Sequence, residues 1–542
     1  MLERLVEHFP EGYTPNSKQA KILNNIEQAF NEGHNFVVVT APTGAGKSHV
    51  AKTLGNVANA PTKEFVSMIN TNLAFKMEAG EYKYWNECMG QKPFGAAVLT
   101  ITKSLQDQYT GLFDEIKVMK GKGNYLCTVD DEFTADMAPC LFVKGMSEGC
   151  IKNKECPYYN ARAGALTAKM CALNYKMFFS LPDHVKQREY LICDEAAELE
   201  DELVKHFTCE LNFKILKKLG VDISPLPLSE YGKYQRWVDG LYLTVYERIK
   251  DLTDSIKESS NKVQQTRMKK WLRVLQSVKS SLKTLSETFY DSDYQVEKEE
   301  DGVKFIPLKV NKLSKYVFDC GQKIILMSAT IIDVENYCKT LGIEKYKYIE
   351  VDSPFDAGKA PIKCSNKYKL NFRNIDKVLG NVIDQIELIV KSHPNQKGII
   401  HTHSNKITQA VQRAISSDRL LFREPGVTNE QILNIHDNTE RPTVLVSPSM
   451  SHGVDLKGDL AEFQIIVKAP FMPLGDVRVK KMFELDKQWY TNKMVCSVIQ
   501  SCGRGIRSKD DECVTYILDA TITDAILRNR SKIPKCFLDR FH

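Results

Sequence analysis

The sequence predicts an α/β protein built on parallel sheets that are covered on both faces. Three observations carry this. Eight short β-branched runs recur: FVVVT (36–40), AVLTIT (97–102), YLICDE (190–195), KIILMSAT (323–330), KGIIHTH (397–403), TVLVSPS (443–449), FQIIVKAP (463–470) and CVTYILD (513–519). Each is followed by a helix-like segment. The runs are continuously apolar rather than alternating, the pattern of strands buried on both sides. At 542 residues the chain exceeds what one hydrophobic core accommodates, so several domains are expected.

Composition narrows the class. Hydrophobic residues make up 43% and charged residues 26%, as in ordinary globular proteins. No apolar run reaches the roughly 18 residues that a membrane helix needs. The first residues, MLERLVEHFPEG, are acidic and amphipathic rather than a basic leader. The expectation is a cytoplasmic protein, or a nuclear one if the source is a eukaryote or its virus, without a membrane partner.

Two stretches interrupt the strand–helix alternation. Residues about 116–171 carry cysteines, and residues about 205–300 read as mainly helical. In the second, Met268, Leu272, Leu275, Val278, Leu282 and Leu285 recur at steps of three and four, an amphipathic stripe. EKEEDGVKF (297–305) reads as a turn between two strands. Ten Lys/Arg against three acids lie between 248 and 283. Charge alone leaves both a polyanion contact and a solvated helix face open.

The chemistry concentrates in the strand-end segments. FVVVTAPTGAGKSHVAKTL (36–54) is a strand, a small-residue loop and a helix start. Thr43, Gly44, Ala45 and Gly46 let backbone N–H groups wrap a phosphate chain. Lys47 reaches the β- and γ-phosphates and Ser48 ligates Mg²⁺ in that arrangement. The first loop position is Ala41 where the strict pattern has Gly. YLICDEAA (190–197) ends a strand in Asp194, suited to holding Mg²⁺, and Glu195, suited to activating water. VIQSCGRGIR (498–507) spaces Gln500, Arg504 and Arg507 as one face of a helix. They read either as a basic surface helix or as arginines reaching the γ-phosphate from a second domain.

The fifteen cysteines are not expected to form a secretory disulfide framework, because the chain is long and no leader is read in it. Cys193, Cys338 and Cys496 lie in apolar or helical settings and read as core. Cys127, Cys140, Cys150 and Cys156 cluster, with 12, 9 and 5 residues between them. Four thiolates at that irregular spacing hold a tetrahedral zinc or an iron–sulfur cluster equally well. Cys88 and Cys171 are nearby spares.

In chain order, APTGAGKS, TITKSLQDQ (100–108), DEAA, MSAT (327–330), SHGVDLKG (451–458) and QSCGRGIR (500–507) resemble the helicase motifs of superfamily two. GKGNYLC (121–127), CPYYNAR (156–162), LNYKMFF (173–179) and DSPFD (352–356) resemble features of its XPD/DinG branch, the iron–sulfur helicases. The resemblance runs from about 13 to about 520 and is weakest in 205–300. It implies two RecA-like motor domains, the first carrying an iron–sulfur insertion and a helical arch. The implied order is 1–115 (first motor domain), 116–171 (cluster insertion), 172–204 (first motor domain), 205–300 (arch), 301–330 (end of the first motor domain) and 331–542 (second motor domain).

The resemblance also implies roles. ATP and Mg²⁺ would lie between the domains, met by Gln19, the phosphate loop, Asp194, Gly453 and Asp455. Lys47, Glu195, Gln500, Arg504 and Arg507 would be catalytic. Cys127, Cys140, Cys150 and Cys156 would bind a 4Fe–4S cluster, the reading the resemblance favours over zinc. The sequence departs from the family at Asn16, usually Arg; at Ala197, often His, a polar link to domain motion; and at His452, often Glu. The implied activity is an ATP-dependent DNA helicase moving 5′ to 3′ as a monomer on single-stranded and forked DNA, with its loading protein unknown. The alternatives are a translocase removing proteins or RNA–DNA hybrids, and a nucleotide-switched DNA-binding factor with little turnover.

Overall fold

The structure is a computed structural model that describes residues 4–541 except 78–80, 82, 84–91, 142–145, 153, 228–230, 450–457 and 507–509. Gly453, Asp455, Arg507, Cys88 and His452 lie outside the described residues.

Two parallel sheets form the frame. The first joins seven strands in the order β10-β1-β9-β5-β2-β4-β3: β1 (Phe36–Thr40), β2 (Ala96–Thr100), β3 (Lys117–Val118), β4 (Met170–Asn174), β5 (Arg188–Asp194), β9 (Gly321–Ser328) and β10 (Lys347–Glu350). The second joins β11 (Ile362–Tyr368), β12 (Gly398–His401), β13 (Leu420–Phe422), β14 (Val444–Ser447), β15 (Phe463–Ile466) and β16 (Val514–Asp519) in the order β11-β16-β15-β12-β14-β13. Every pairing within both sheets is parallel. All eight apolar runs fall on these strands.

The side-chain period of two explains why the runs are unbroken. Val38, Leu99, Leu191 and Leu326 enter one core, whereas Val37, Val39, Val98, Ile192 and Ile325 enter another on the opposite face. The second sheet repeats this, with Ile400, Val446 and Ile465 on one side and Ile399 and Leu445 on the other.

The interruptions differ in kind. Helices Tyr231–Glu258 and Lys262–Thr288 pack on a third, antiparallel sheet of β6 (Cys209–Asn212), β8 (Gly302–Pro307) and β7 (Tyr294–Glu299). The stripe residues Leu272, Leu275, Leu282 and Leu285 are buried there. Two expected boundaries shift. The β7–β8 hairpin crosses residue 300, so the helical unit closes at Pro307. Residues 331–350 stay with the first sheet: Cys338 and Leu341 enter its core and β10 pairs with β1.

The two frames meet around one buried carboxylate. Glu200, 4% exposed, follows β5 in helix Leu199–Phe207. From helix Val477–Leu485, Arg478 Nη2 donates to Glu200 Oε1 at 2.6 Å and its Nε to Pro307 O at 3.1 Å. From helix Lys487–Cys502, Trp489 Nε1 donates to both oxygens of Glu200, and Lys493 Nζ lies 3.0 Å from Oε2. Lys493 also pairs with Asp201 at 2.9 Å. No helix among the described residues is long and apolar enough to cross a membrane.

Candidate active site

The chain leaves β1 into the loop 41–46 and enters helix Lys47–Val57, whose start carries no side-chain cap. The orphan N–H groups of such a start attract an anion. Gly44 and Gly46 stand at φ +78° and +80°, a region that L side chains rarely adopt. A Cβ at 44 would also strike the Phe355 ring, and one at 46 the Gln19 amide. Lys47 Nζ folds back to Ala41 O at 3.2 Å. Ala41, which stands where the strict pattern has Gly, is fully buried in the core on that face of the sheet.

Gln19 is buried, and its amide is held from both ends. Its Oε1 accepts from Asn16 N at 3.0 Å, and its Nε2 reaches Gly46 O at 3.4 Å. Asn16 caps helix Ser17–Asn31 in a reciprocal capping box with Gln19. The Asn16 departure thus has a local role: it fixes the glutamine against the phosphate loop.

Asp194 ends β5 and is buried. Tyr109 Oη donates to its Oδ2 at 2.9 Å, and Glu195 N to its Oδ1 at 3.0 Å. Burial and the Glu195 charge push the Asp194 carboxyl up, against Lys47, which draws it down. A divalent cation would relieve that penalty. Burial and the same carboxylate hold the Tyr109 phenol well above its ordinary value, so it stays a donor. Ser48 lies against the same phenol. Tyr109 therefore links the two groups suited to holding Mg²⁺. Glu195 follows at φ +51°, a left-handed conformation that turns its side chain off the strand line.

The second frame reaches this point through a polar chain. Ser328 Oγ donates to Glu195 Oε2 at 3.3 Å and lies 3.4 Å from Thr330 Oγ1. Gln500 Nε2 donates to Glu198 Oε1 at 2.8 Å and reaches Thr330 Oγ1 at 3.4 Å. The polar link expected to be missing at Ala197 is thus carried one residue later, by Glu198. Gln500→Ala is expected to lower strand-stimulated ATP hydrolysis by about ten- to a hundredfold, because the groups it positions lose their register. Steady-state ATPase assays with saturating single-stranded DNA check this.

The arginine segment differs from its expected geometry. Helix Lys487–Cys502 ends with Gly503 at the cap, and Arg504 lies in the turn beyond. Gln500 and Arg504 are therefore not one helical face. A Cβ at Gly505 would meet Cys513 Sγ and Cβ, so this turn is packed tightly against the start of β16. His401, at the end of β12, is fully buried, and its pKa falls to about 3 because of burial, His403 and Arg504. It is neutral and adds no charge beside Arg504.

Tyr109, Glu198 and Phe355 are the contributors that sequence reasoning passed over. Tyr109 stands one residue past TITKSLQDQ and Glu198 one past DEAA, so proximity to the motifs was the available signal. Phe355, inside DSPFD, packs toward Ile506 and Cys513 while its ring covers Gly44.

The four clustered cysteines line one pocket with Lys122, Tyr158 and Tyr159, about 450 Å³ including the part open to solvent. All fourteen described cysteines are free thiols. Burial and the neighbouring thiols push Cys140 and Cys150 up. A bound metal centre would reverse that, as thiolate ligands require. No three His, Cys, Asp or Glu side chains among the described residues close on a single metal-ion position. The donor chemistry and shared cavity fit a sulfur-ligated group. Cys171 is buried in β4 and belongs to the core. Tyr158 is 6% exposed and packs against Tyr125 and Tyr159, with Lys122 over its ring.

The basic arch is largely engaged. Arg273 pairs with Asp136 at 2.9 Å and Lys269 lies over Phe133, both joining the arch to the cysteine insertion. Arg248 donates to Leu219 O at 2.7 Å, Lys257 pairs with Asp254, and Lys279 covers Tyr246. Much of the charge concentration thus has protein partners.

Comparison with known proteins agrees with this architecture. Residues 386–537 match the family described as the helicase C-terminal domain. The ATP-dependent DNA helicase YoaA of Haemophilus influenzae is 21% identical over 623 aligned positions, covering 96% of this chain and 92% of the relative. The ATP-dependent DNA helicase XPD of Sulfolobus acidocaldarius is 23% identical, covering 72% of this chain and 76% of the relative. A solved XPD helicase structure shares the fold at TM-score 0.61 and 14% identity, covering 97% of this chain and 99% of that one. In the order of its motifs, its two parallel sheets and its relatives, the chain is similar to the XPD/DinG-like branch of the superfamily-two helicases.

Proposed function

We propose that this chain is an ATP-driven DNA helicase that moves 5′ to 3′ along a single strand and opens duplex ahead of it, in replication, repair or recombination. The observation that supports it best is the polar chain Glu195–Ser328–Thr330–Gln500–Glu198. It ties a strand-end carboxylate in the first frame to a helix of the second. A motor needs that coupling, because hydrolysis moves a strand only if the two nucleotide states hold the domains differently.

In this reading the phosphate loop and Lys47 bind the ATP phosphates, and Gln19 braces the loop from behind. Ser48 and Asp194 hold Mg²⁺, which supplies charge neutralisation at the transferring phosphoryl group. Glu195 takes the proton of the attacking water. Arg504 and Arg507 meet the γ-phosphate charge from the second domain, and Gly453 and Asp455 serve the same nucleotide. The chain works as a monomer on single-stranded or forked DNA, in the cytoplasm.

Cys127, Cys140, Cys150 and Cys156 hold a 4Fe–4S cluster, which supplies covalent cross-links to an insertion too small for a core of its own. Cys156→Ser is expected to reduce unwinding at least about tenfold more than strand-independent ATP hydrolysis, and to lower bound iron. Parallel loss of both activities argues against a separate role for the insertion. Zinc without iron after anaerobic purification removes the cluster.

Strand displacement tests the whole reading. Anaerobically purified protein with ATP and Mg²⁺ is expected to open a duplex bearing a 5′ single-stranded tail and not one bearing a 3′ tail. Opening from the 3′ tail alone reverses the polarity. Opening from neither, with single strand still stimulating hydrolysis, makes the chain a translocase.

A further inference from the structure

Phe372 is the most exposed large apolar side chain among the described residues, at 97%. An exposed ring on a loose loop would mean little, since scattered apolar residues on a surface are ordinary. This one is held out by a built turn. On its N-terminal side, Leu370 is buried and its N–H donates to Asp519 Oδ1 at 3.2 Å, at the end of β16. Asp519 is itself buried and also accepts from Ala469 N at 3.0 Å. On the C-terminal side, Asn371 Oδ1 accepts from the N–H groups of Arg373 and Asn374, both at 3.1 Å. Ile375, where helix Ile375–Ser392 begins, returns to the core. The ring thus projects between two fixed points, Leu370 two residues before it and Ile375 three residues after it.

The surroundings select the partner. Between 363 and 377 lie five cations, Lys363, Lys367, Lys369, Arg373 and Lys377, against one acid, Asp376. Lys369 pairs with Asp524, and Asp376 is taken by Lys406. Lys367, Arg373 and Lys377 are exposed on the same stretch of chain. A protein partner would call for a contiguous apolar patch, and here the ring stands alone among charges. The turn also leaves the carboxyl end of β11, and the segments after β12, β14 and β15 leave the same end of the same parallel sheet. In open α/β sheets this is the end where ligands bind. An isolated aromatic face among cations suits a polyanion with planar groups, namely a single nucleic-acid strand.

We propose that Phe372 is a base-stacking post for single-stranded nucleic acid on the second motor domain, with Arg373 contacting the adjoining phosphate. This rests on the strand-handling function proposed above and names a residue by which the strand is held.

The test is binding of a fluorescent 20-nucleotide oligothymidylate to the full chain, by anisotropy across a salt series. Phe372→Leu and Phe372→Ala are expected to weaken binding about five- to a hundredfold, with the slope of log affinity against log salt unchanged. Arg373→Ala is expected to reduce that slope by about one. Phe372→Trp should retain wild-type affinity and lose indole emission when the oligonucleotide binds. Wild-type affinity in Phe372→Leu, or a Phe372→Trp emission that saturating oligonucleotide does not move, overturns the stacking role. Failure of the unsubstituted chain to bind the oligonucleotide overturns the strand-handling function itself.

Discussion

Glu195→Gln is expected to lower kcat for ATP hydrolysis by about 10²- to 10⁴-fold, the range that a positioned general base contributes. The substitution keeps the size of the side chain and removes only its ability to take a proton. It also removes the negative charge that raises the Asp194 carboxyl. Mg²⁺ and ATP binding should therefore hold or tighten while turnover collapses. Steady-state kinetics and a Mg²⁺ titration separate the two. A kcat within about threefold of the unsubstituted chain would take Glu195 out of the chemistry.

The second large effect concerns Glu200. Glu200→Ala leaves Arg478 and Lys493 facing a gap at the interface of the two frames. Breaking a buried ion pair from one side costs about 3–5 kcal/mol, because the surviving charge has lost its counter-ion without regaining water. Lys493 keeps Asp201, so Arg478 carries most of the loss. Urea denaturation is expected to show the destabilisation, and an unchanged midpoint would mean that the interface is held elsewhere. The same group gives a pH dependence. Burial pushes its carboxyl up, but Lys493 and Arg478 overcome that and hold it well below its ordinary 4.5. A depressed carboxylate contributes stability that is complete above its unfolded value. That contribution fades as pH falls through about 4.5 towards the folded value. Glu200→Gln should flatten this acid limb.

What could be read beforehand follows from where information sits along the chain. The eight apolar runs announced the central strands because those strands are buried on both faces. The strands that escaped notice are mostly edges. β11, IKCSNKY, and β10, KYIE, carry lysines because an edge strand faces water and must not recruit another chain. β13 is a three-residue edge, LLF, too short for any period to show. The phosphate loop was legible because strand, glycines and helix start are contiguous. Tyr109 and Glu198 were not, since each acquires its meaning from a partner 85 or 302 residues away. The arginine turn was misjudged because spacing does not reveal where a helix stops, and here Gly503 stops it before Arg504.

The segment from Glu195 to Asp201 deserves a mechanical description. Glu195 touches Ser328, Glu198 receives Gln500, Glu200 receives Arg478, and Asp201 receives Lys493. The carboxylate suited to activating water and the anchors of the opposing domain are thus cut from one short, rigid piece of chain. A displacement at the strand end would therefore be carried along this piece to the anchors of the far domain, and a load pulling on the far domain would be felt at the strand end. The protein has a crank here rather than a tether, so mechanical resistance on the bound strand should slow ATP turnover as well as movement.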